Sequence, residues 1–293
     1  MLKTDKPPES WRFGPNDEIT ANLVVIRDLG GGERYEVVEA WDKELSRSVA
    51  AKVLRPDKVL DDRARAAFKR EAEIAGRLSH PNLIRLIRSS EALPHPHLVF
   101  ELVPAASVED HLEEVGPVRV PETCVLGIRM LAALDYMHGE QVLHLDVKPA
   151  NVTMGHPPRL LDLSLARPGI SVRLGREVGT PPYMAPEQCL GETVTQRTDL
   201  FGLGATLYEA LTAMQPFSEG DDAAADLETR YPQLAEQAMP LRELHAEIPR
   251  ALEDVIMRCL AADSARRPQS ARECAAALRA VLDSIGMHRL IDG

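Results

Sequence analysis

Between Ala21 and Leu54 the chain runs in short apolar, β-branched stretches broken by Gly and Asp: Leu23–Ile26, Tyr35–Ala40 and Val49–Leu54. Their length and punctuation predict strands of an antiparallel sheet. Asp61-Asp62 then opens a helix that the pattern carries to about Leu78. Two more strands are predicted near Leu83–Ile87 and Leu98–Val103. After Pro104 helical patterns dominate, near Pro121–His138, Thr198–Thr212, Arg250–Leu260 and Ala271–Ile285. Between the first two of these lies a Pro- and Gly-rich stretch, Val147–Gly191, with most of the unusual residues. A strand-rich part followed by a helical part predicts a two-lobed α+β protein hinged near Leu102–Pro104. The expected units are a polar extension over 1–18, a first lobe over 19–103 and a second over 104–293. Within the extension, Trp11 and Phe13 are apolar enough to pack on the body.

Composition changes this picture in few places. Apolar content of 44% with 27% charged residues supplies an ordinary globular core. A formal charge of -11 argues against a nucleic-acid partner, for which a basic stripe is expected. The four cysteines, Cys124, Cys189, Cys259 and Cys274, have neither metal-site nor redox spacing, so reduced and mostly buried thiols are expected. Met1–Trp11 lacks the apolar core of a signal peptide. The longest apolar run, near Leu200–Leu207, holds two glycines and is too short to span a bilayer. A cytoplasmic chain without a membrane span is the expectation.

The Asp61–Leu78 helix poses a chemical problem. Ala64, Phe68, Ala75 and Leu78 recur at helical spacing, and Glu71 lies in the middle of that stripe. A carboxylate on a buried face is costly unless paired. The Val49–Leu54 strand poses the converse problem, because Lys52 shares a face with Ala50 and Leu54. Alone, each has an ordinary solution, a snorkelling Lys or a helix-edge Glu. Together, the economical solution is that they satisfy each other.

In this order, Lys52 and Glu71 resemble the protein-kinase family, and the rest of the chain extends the resemblance. Leu29-Gly30-Gly31-Gly32-Glu33-Arg34-Tyr35-Glu36-Val37 stands in place of the glycine-rich loop, with Gly30 and Gly32 matching its first two glycines and Tyr35 where the third belongs. His144-Leu145-Asp146-Val147-Lys148-Pro149-Ala150-Asn151 looks like the catalytic loop, and Asp162 falls at the second metal-binding carboxylate. Gly179-Thr180-Pro181-Pro182-Tyr183-Met184-Ala185-Pro186-Glu187 closely matches the end of the activation segment. The resemblance spans about Asn22 to Leu282 and implies a two-lobed kinase fold, a small antiparallel sheet with one key helix and a larger helical lobe.

The roles follow from the resemblance. Lys52, held by Glu71, would take the α- and β-phosphates of ATP. Val37 and Ala50 would lie above the adenine, Phe100 would be the gatekeeper, Glu101 and Val103 would offer hinge backbone, and Thr153 would sit at the adenine floor. Asp146 would orient the substrate hydroxyl and accept its proton, Lys148 would neutralise charge on the moving phosphoryl group, and Asn151 and Asp162 would hold Mg²⁺. Thr180 would position Asp146 and Lys148, Asp199 would brace the catalytic loop, and Glu187 would pair with Arg267. Lys148 two residues after Asp146, together with Gly179-Thr180, points to Ser/Thr in protein substrates rather than Tyr, and the wording is similar to the bacterial serine/threonine kinases.

Four departures bear on activity. Leu145 replaces the arginine that grips a phosphorylated activation loop, which implies activity independent of such a phosphate. Between Leu163 and Thr180 the only hydroxyl residues are Ser164 and Ser171. Ser164 replaces a glycine after Asp162, which removes backbone freedom there. Thr153 makes the adenine floor more polar, and Tyr35 alters the phosphate loop. These departures define the rival expectation, a pseudokinase acting as a nucleotide-binding or scaffolding module. A small-molecule kinase of the same fold conflicts with the well-matched Gly179–Glu187 segment.

Overall fold

The computed structural model describes residues 9–287; residues 1–8 of the expected extension lie outside them. The chain divides into two compact units. One comprises the residues up to Ser79 together with Ile84–Pro104, and the other His80–Leu83 together with the residues from Ala105 onward.

The first unit is a six-stranded sheet in the order β1-β2-β3-β4-β6-β5. Its strands are β1 (Glu18–Thr20), β2 (Leu23–Gly31), β3 (Tyr35–Asp42), β4 (Arg47–Leu54), β5 (Leu86–Ser90) and β6 (His97–Glu101). β3 and β4 pair without a break from Tyr35↔Leu54 to Asp42↔Arg47. The Asp42 carboxylate closes their turn by accepting the N–H groups of Glu44 and Leu45 at 3.0 and 3.1 Å, the local bonding for which Asp is favoured in turns. Leu23, Val25, Val38, Ala40, Val49, Ala51, Val53 and Val99 form one fully buried cluster of this sheet.

Helix α1 (Asp62–Arg77) starts where the sequence predicts, because Asp61 caps it by accepting the Ala64 N–H at 2.7 Å. It ends at Leu78, which is already extended. The predicted strand near Leu83–Ile87 lies later, at β5. His80–Leu83 belongs to the other unit, where Leu83 bridges Leu160 and the Asn82 carboxamide donates to Pro158 O at 2.9 Å. The apolar signal of Leu83 was therefore that of a different core.

Residues 9–18 are tied down. Trp11 donates its backbone N–H to Glu36 Oε1 and its indole N–H to Leu54 O, both at 2.8 Å. Its ring meets His95 edge-on at 4.4 Å, and Phe13 packs beside it on the sheet cluster.

The second unit is helical: α2 (Val108–Glu114), α3 (Val120–Gly139), α4 (Pro186–Cys189), α5 (Gln196–Thr212), the single turns α6 (Leu227–Arg230) and α7 (Leu241–Leu244), α8 (Arg250–Cys259) and α9 (Ala271–Ser284). α3 and α5 bury residues on nearly every side, as central helices do. α2 escaped the apolar pattern because it is short and polar. Its signature was nevertheless present: Ser107 Oγ accepts the Asp110 N–H at 3.0 Å, and Asp110 Oδ2 accepts the Ser107 N–H at 2.8 Å, a reciprocal capping box. Small strand pairs complete the unit: β7 (Val142–Leu143) with β8 (Arg167–Pro168), and β9 (Ser171–Arg173) with β10 (Thr193–Thr195). All four cysteines are free and buried. Among the described residues no helix is long and apolar enough to cross a membrane.

Replacing Trp11 by Ala removes the indole hydrogen bond to Leu54 O and a half-buried ring, keeps the backbone N–H that donates to Glu36, and should lower stability by about 2–3 kcal/mol. Urea unfolding followed by circular dichroism measures this; a loss within about 0.5 kcal/mol would mean the segment is only laid on the sheet.

Candidate active site

In the first unit, the register of β4 sets Lys52 opposite Val37 on one side and Leu98 on the other, while α1 carries Glu71 in its buried face. The Lys52 ammonium donates to Glu71 Oε1 at 2.7 Å, with the two side chains 11% and 1% exposed. The pair expected from two conflicting buried faces is thus present, each charge offsetting the desolvation of the other.

The residues expected around adenine sit on neighbouring strands. Val37 and Ala50 are half-buried on β3 and β4. Ala50 pairs with Phe100, and Val49 with Glu101, across β4 and β6. Phe100 is buried, and half-buried Val103 follows the end of β6.

The β2–β3 turn holds the glycines, and the strictest steric demand falls between the two the sequence singled out. Gly31 has φ +147°, and a Cβ there would lie 2.4 Å from the Tyr35 carbonyl oxygen, so a side chain cannot be placed. Gly30, at φ +98°, and Gly32 have open space around them. Asp28 accepts the Gly30 N–H at 2.9 Å. Arg55, which carried no sequence signal, donates from Nε to Gly32 O at 2.7 Å and from Nη1 to Glu36 Oε1 at 3.1 Å. Tyr35 is buried with its ring centroid 4.5 Å from the Lys52 ammonium. Burial, and then the adjacent Glu71 carboxylate, push its phenol well above the ordinary value, so it stays neutral.

In the second unit, Asp146, Lys148, Asn151 and Thr180 converge. The Thr180 hydroxyl donates to Asp146 Oδ1 at 2.8 Å and accepts from the Lys148 ammonium at 2.7 Å. Lys148 also lies 3.2 Å from Asp146 Oδ2. The Asn151 carboxamide donates to Asp146 O and Oδ2 at 2.9 and 3.0 Å. Its nitrogen thus faces Asp146, which leaves the amide oxygen for a cation.

Asp162 is brought to the same region because Leu161 N–H donates to Asn151 O at 2.8 Å. Asp162 is itself left-handed, φ 54°, and its Oδ1 accepts the Ser164 N–H at 3.1 Å. The positive φ falls on Asp162 and not on Ser164, so the glycine missing at 164 is not required by this backbone. One carboxylate and one amide oxygen are hard donors that suit Mg²⁺ when phosphate and water fill its other positions. Buried Thr153 spends its hydroxyl by accepting the Arg159 N–H at 2.8 Å.

The catalytic-loop backbone is held by Asp199, at the start of α5. Its carboxylate accepts Leu145 N–H at 2.7 Å, His144 N–H at 3.0 Å and the His138 ring nitrogen Nε2 at 2.7 Å. Burial opposes its ionisation, but the His138 hydrogen bond and charge, with the Leu145 N–H, hold its pKa below the usual carboxylate value. Leu145 is left-handed at φ 66°, a strained state for a side-chain-bearing residue. Gln188 fixes its other side, donating to Leu145 O at 2.9 Å and to Val178 O at 2.8 Å. His138 and Gln188 were missed because a polar residue on a helix carries no signal until its distant partner is known.

Glu187 and Arg267 meet as expected, in a two-pronged pair at 2.7 and 2.9 Å. Arg267 is fully buried; its remaining N–H groups reach Ala261 O, Arg197 O and Ala262 O, and its guanidinium lies over Phe201 at 4.9 Å. Thr198 Oγ1 donates to Glu187 Oε1 at 2.8 Å.

Comparison with known proteins agrees with this geometry. The protein kinase domain model matches residues 23–278. The chain is 34% identical over 261 residues to the serine/threonine-protein kinase PknB of Mycolicibacterium smegmatis, covering 85% of this chain and 41% of that one. It is 33% identical over 266 residues to a probable serine/threonine-protein kinase of Streptomyces coelicolor, covering 87% and 39%. The chain therefore spans about two-fifths of the length of these relatives. The crystal structure of the Mycobacterium tuberculosis PknI kinase domain superposes with a TM-score of 0.70 at 26% identity, covering 92% of this chain and 99% of that one.

Breaking the Glu187–Arg267 pair leaves a largely buried carboxylate with no opposite charge and only the Thr198 hydroxyl to satisfy it. Arg267→Met should cost about 3–5 kcal/mol in urea unfolding. A cost below about 1 kcal/mol, typical of an exposed pair, would contradict the burial argued above.

Proposed function

Because the chain belongs to the protein kinase domain family, we propose that it transfers the γ-phosphoryl group of ATP to Ser or Thr hydroxyls of proteins. The observation that carries this is the Asp146 carboxylate, fixed by Thr180 and Asn151 with the Lys148 ammonium beside it. Catalysis in such a site is mainly positioning and charge neutralisation.

Asp146 orients the incoming hydroxyl and takes its proton; the Thr180 and Asn151 contacts fix the carboxylate so that it need not be ordered during the reaction. Lys148, placed by Thr180, neutralises the charge of the group in transfer. In the first unit, Lys52 takes the α- and β-phosphates while Glu71 keeps its ammonium from turning away. In the same unit, Val37, Ala50 and Phe100 supply apolar contact for adenine, with Glu101 and Val103 backbone at its edge; Thr153, in the second unit, is the residue the family resemblance assigns to the adenine floor. Asn151 and Asp162 would hold Mg²⁺, which when bound would neutralise phosphate charge.

We propose further that activity does not wait for a phosphate on the activation segment. Leu145 is buried with Leu143 and Val194, and Val172 and Leu174 pack against them. The antiparallel pairing of β9 with β10 lies over the same cluster. Apolar contact thus does the holding that an arginine–phosphate pair would otherwise do. The rival reading, a nucleotide-binding pseudokinase, draws its support from one feature, the Tyr35 ring beside Lys52.

Asp146→Asn should lower transfer from labelled ATP to a basic protein substrate by about two to four orders of magnitude, with the circular dichroism spectrum unchanged. Wild-type turnover in this variant would remove Asp146 from its role, and no transfer by the wild type would favour the pseudokinase. Phosphatase-treated chain, checked as phosphate-free by mass spectrometry, should keep at least about half its initial rate, against the far larger loss that removing an ordering phosphate brings; loss of most of the rate would sink the independence.

A further inference from the structure

We propose that Tyr35 is a built-in competitor of the nucleotide phosphates for Lys52, so that this chain binds phosphorylated nucleotides only by moving its own aromatic ring aside. The inference rests on the nucleotide reading of the Lys52 site.

Three observations converge on it. The first is place. Tyr35 opens β3 directly after the glycine turn, and its carbonyl is built into that turn: it accepts the Gly32 N–H at 3.0 Å and excludes any side chain at Gly31. The residue is therefore fixed at the root of the loop, with its side chain as the part free to choose an environment. The second is the environment chosen. A tyrosine beside a polar loop can project into water, yet this one is only 4% exposed. Its ring lies 4.5 Å from the Lys52 ammonium, within cation–π range.

The third is charge. The Arg34 guanidinium lies 5.9 Å from the centre of the same ring. Arg70, one residue before Glu71 on α1, carries a buried Nε without a hydrogen-bond partner and has its pKa lowered by burial and by the charge of Arg34. Lys52, Arg34 and Arg70 gather as a cationic nest beside the ring, with the Glu71 carboxylate paired to Lys52. An aromatic face satisfies such a nest weakly, whereas a polyphosphate would satisfy it strongly. Tyr35 fills it as a neutral placeholder.

The consequence is a selective penalty. Ligands that carry phosphates must displace the ring from Lys52, whereas adenosine does not reach the ammonium and does not feel it. A cation–π contact of this kind is worth about threefold to thirtyfold in affinity. Tyr35→Ser should therefore bind Mg-ATP and ADP about tenfold more tightly than the wild type, with adenosine unchanged to within about twofold. Tyr35→Phe, which keeps the ring and loses only the hydroxyl, should match the wild type for all three.

Calorimetric titration of the whole chain with Mg-ATP, ADP and adenosine tests this. Equal or weaker Mg-ATP binding by Tyr35→Ser, with adenosine binding retained, overturns the proposal. If the serine variant loses adenosine as well, the sheet has been damaged and Tyr35→Leu decides on the same readouts: it keeps apolar volume, removes the π face, and should again gain for ATP alone. Absence of binding by any of the three ligands to the wild type and to every variant overturns the nucleotide reading itself, and this inference with it.

Discussion

The buried carboxylate of Asp199 is the constraint on which the Asp146 site depends. It takes two consecutive backbone N–H groups of the catalytic loop and one histidine ring nitrogen. Those bonds hold Leu145 in a left-handed conformation that a free chain would leave at once. The strain is not incidental, because the next residue is Asp146. Turning the backbone at 145 lets an apolar side chain enter the core while the following carboxylate meets Thr180 and Asn151. Without the Asp199 anchor, core packing and carboxylate placement at adjacent residues would compete.

The same economy governs what could be read beforehand. Lys52 and Glu71 were legible because a buried charge is an anomaly in an amphipathic pattern, and two anomalies invite pairing. Helix α1 was legible because Asp61 caps it in the ordinary way, and the α+β architecture followed from the change of period after Pro104. What stayed hidden depends on distant partners. Leu83 looked like strand and serves the other unit's core. Arg55 gave no sign that it would reach the Gly32 carbonyl. Gly31 looked like the spare glycine of three, yet it is the one whose Cβ would collide. Tyr35 was visible as a departure, but only in the folded chain does its ring turn inward to the ammonium.

The Lys52 and Asp146 sites are stabilised by different physics. Around Lys52 the forces are mostly electrostatic, with cations gathered near the Glu71 carboxylate and the Tyr35 ring. Around Asp146 the polar groups are matched donor to acceptor, and the activation segment is fastened by Leu145, Val172, Leu174 and Val194. Salt reaches neither site strongly, because the Lys52–Glu71 pair is buried and buried pairs are screened far less than exposed ones. A matched network rigidifies its members.

The clamp between Glu187 and Arg267 joins residues 80 positions apart. During synthesis the carboxylate leaves the ribosome long before its guanidinium exists. At roughly 5–20 residues per second the delay is on the order of 4–16 seconds. Over that interval the segment carrying Thr180 is held only by its nearer contacts, those of Gln188 and of the Leu145 cluster, and closing so long a loop costs entropy. The Glu187–Arg267 clamp is therefore a late bond: it forms only after α8 has emerged and Arg267 has followed it.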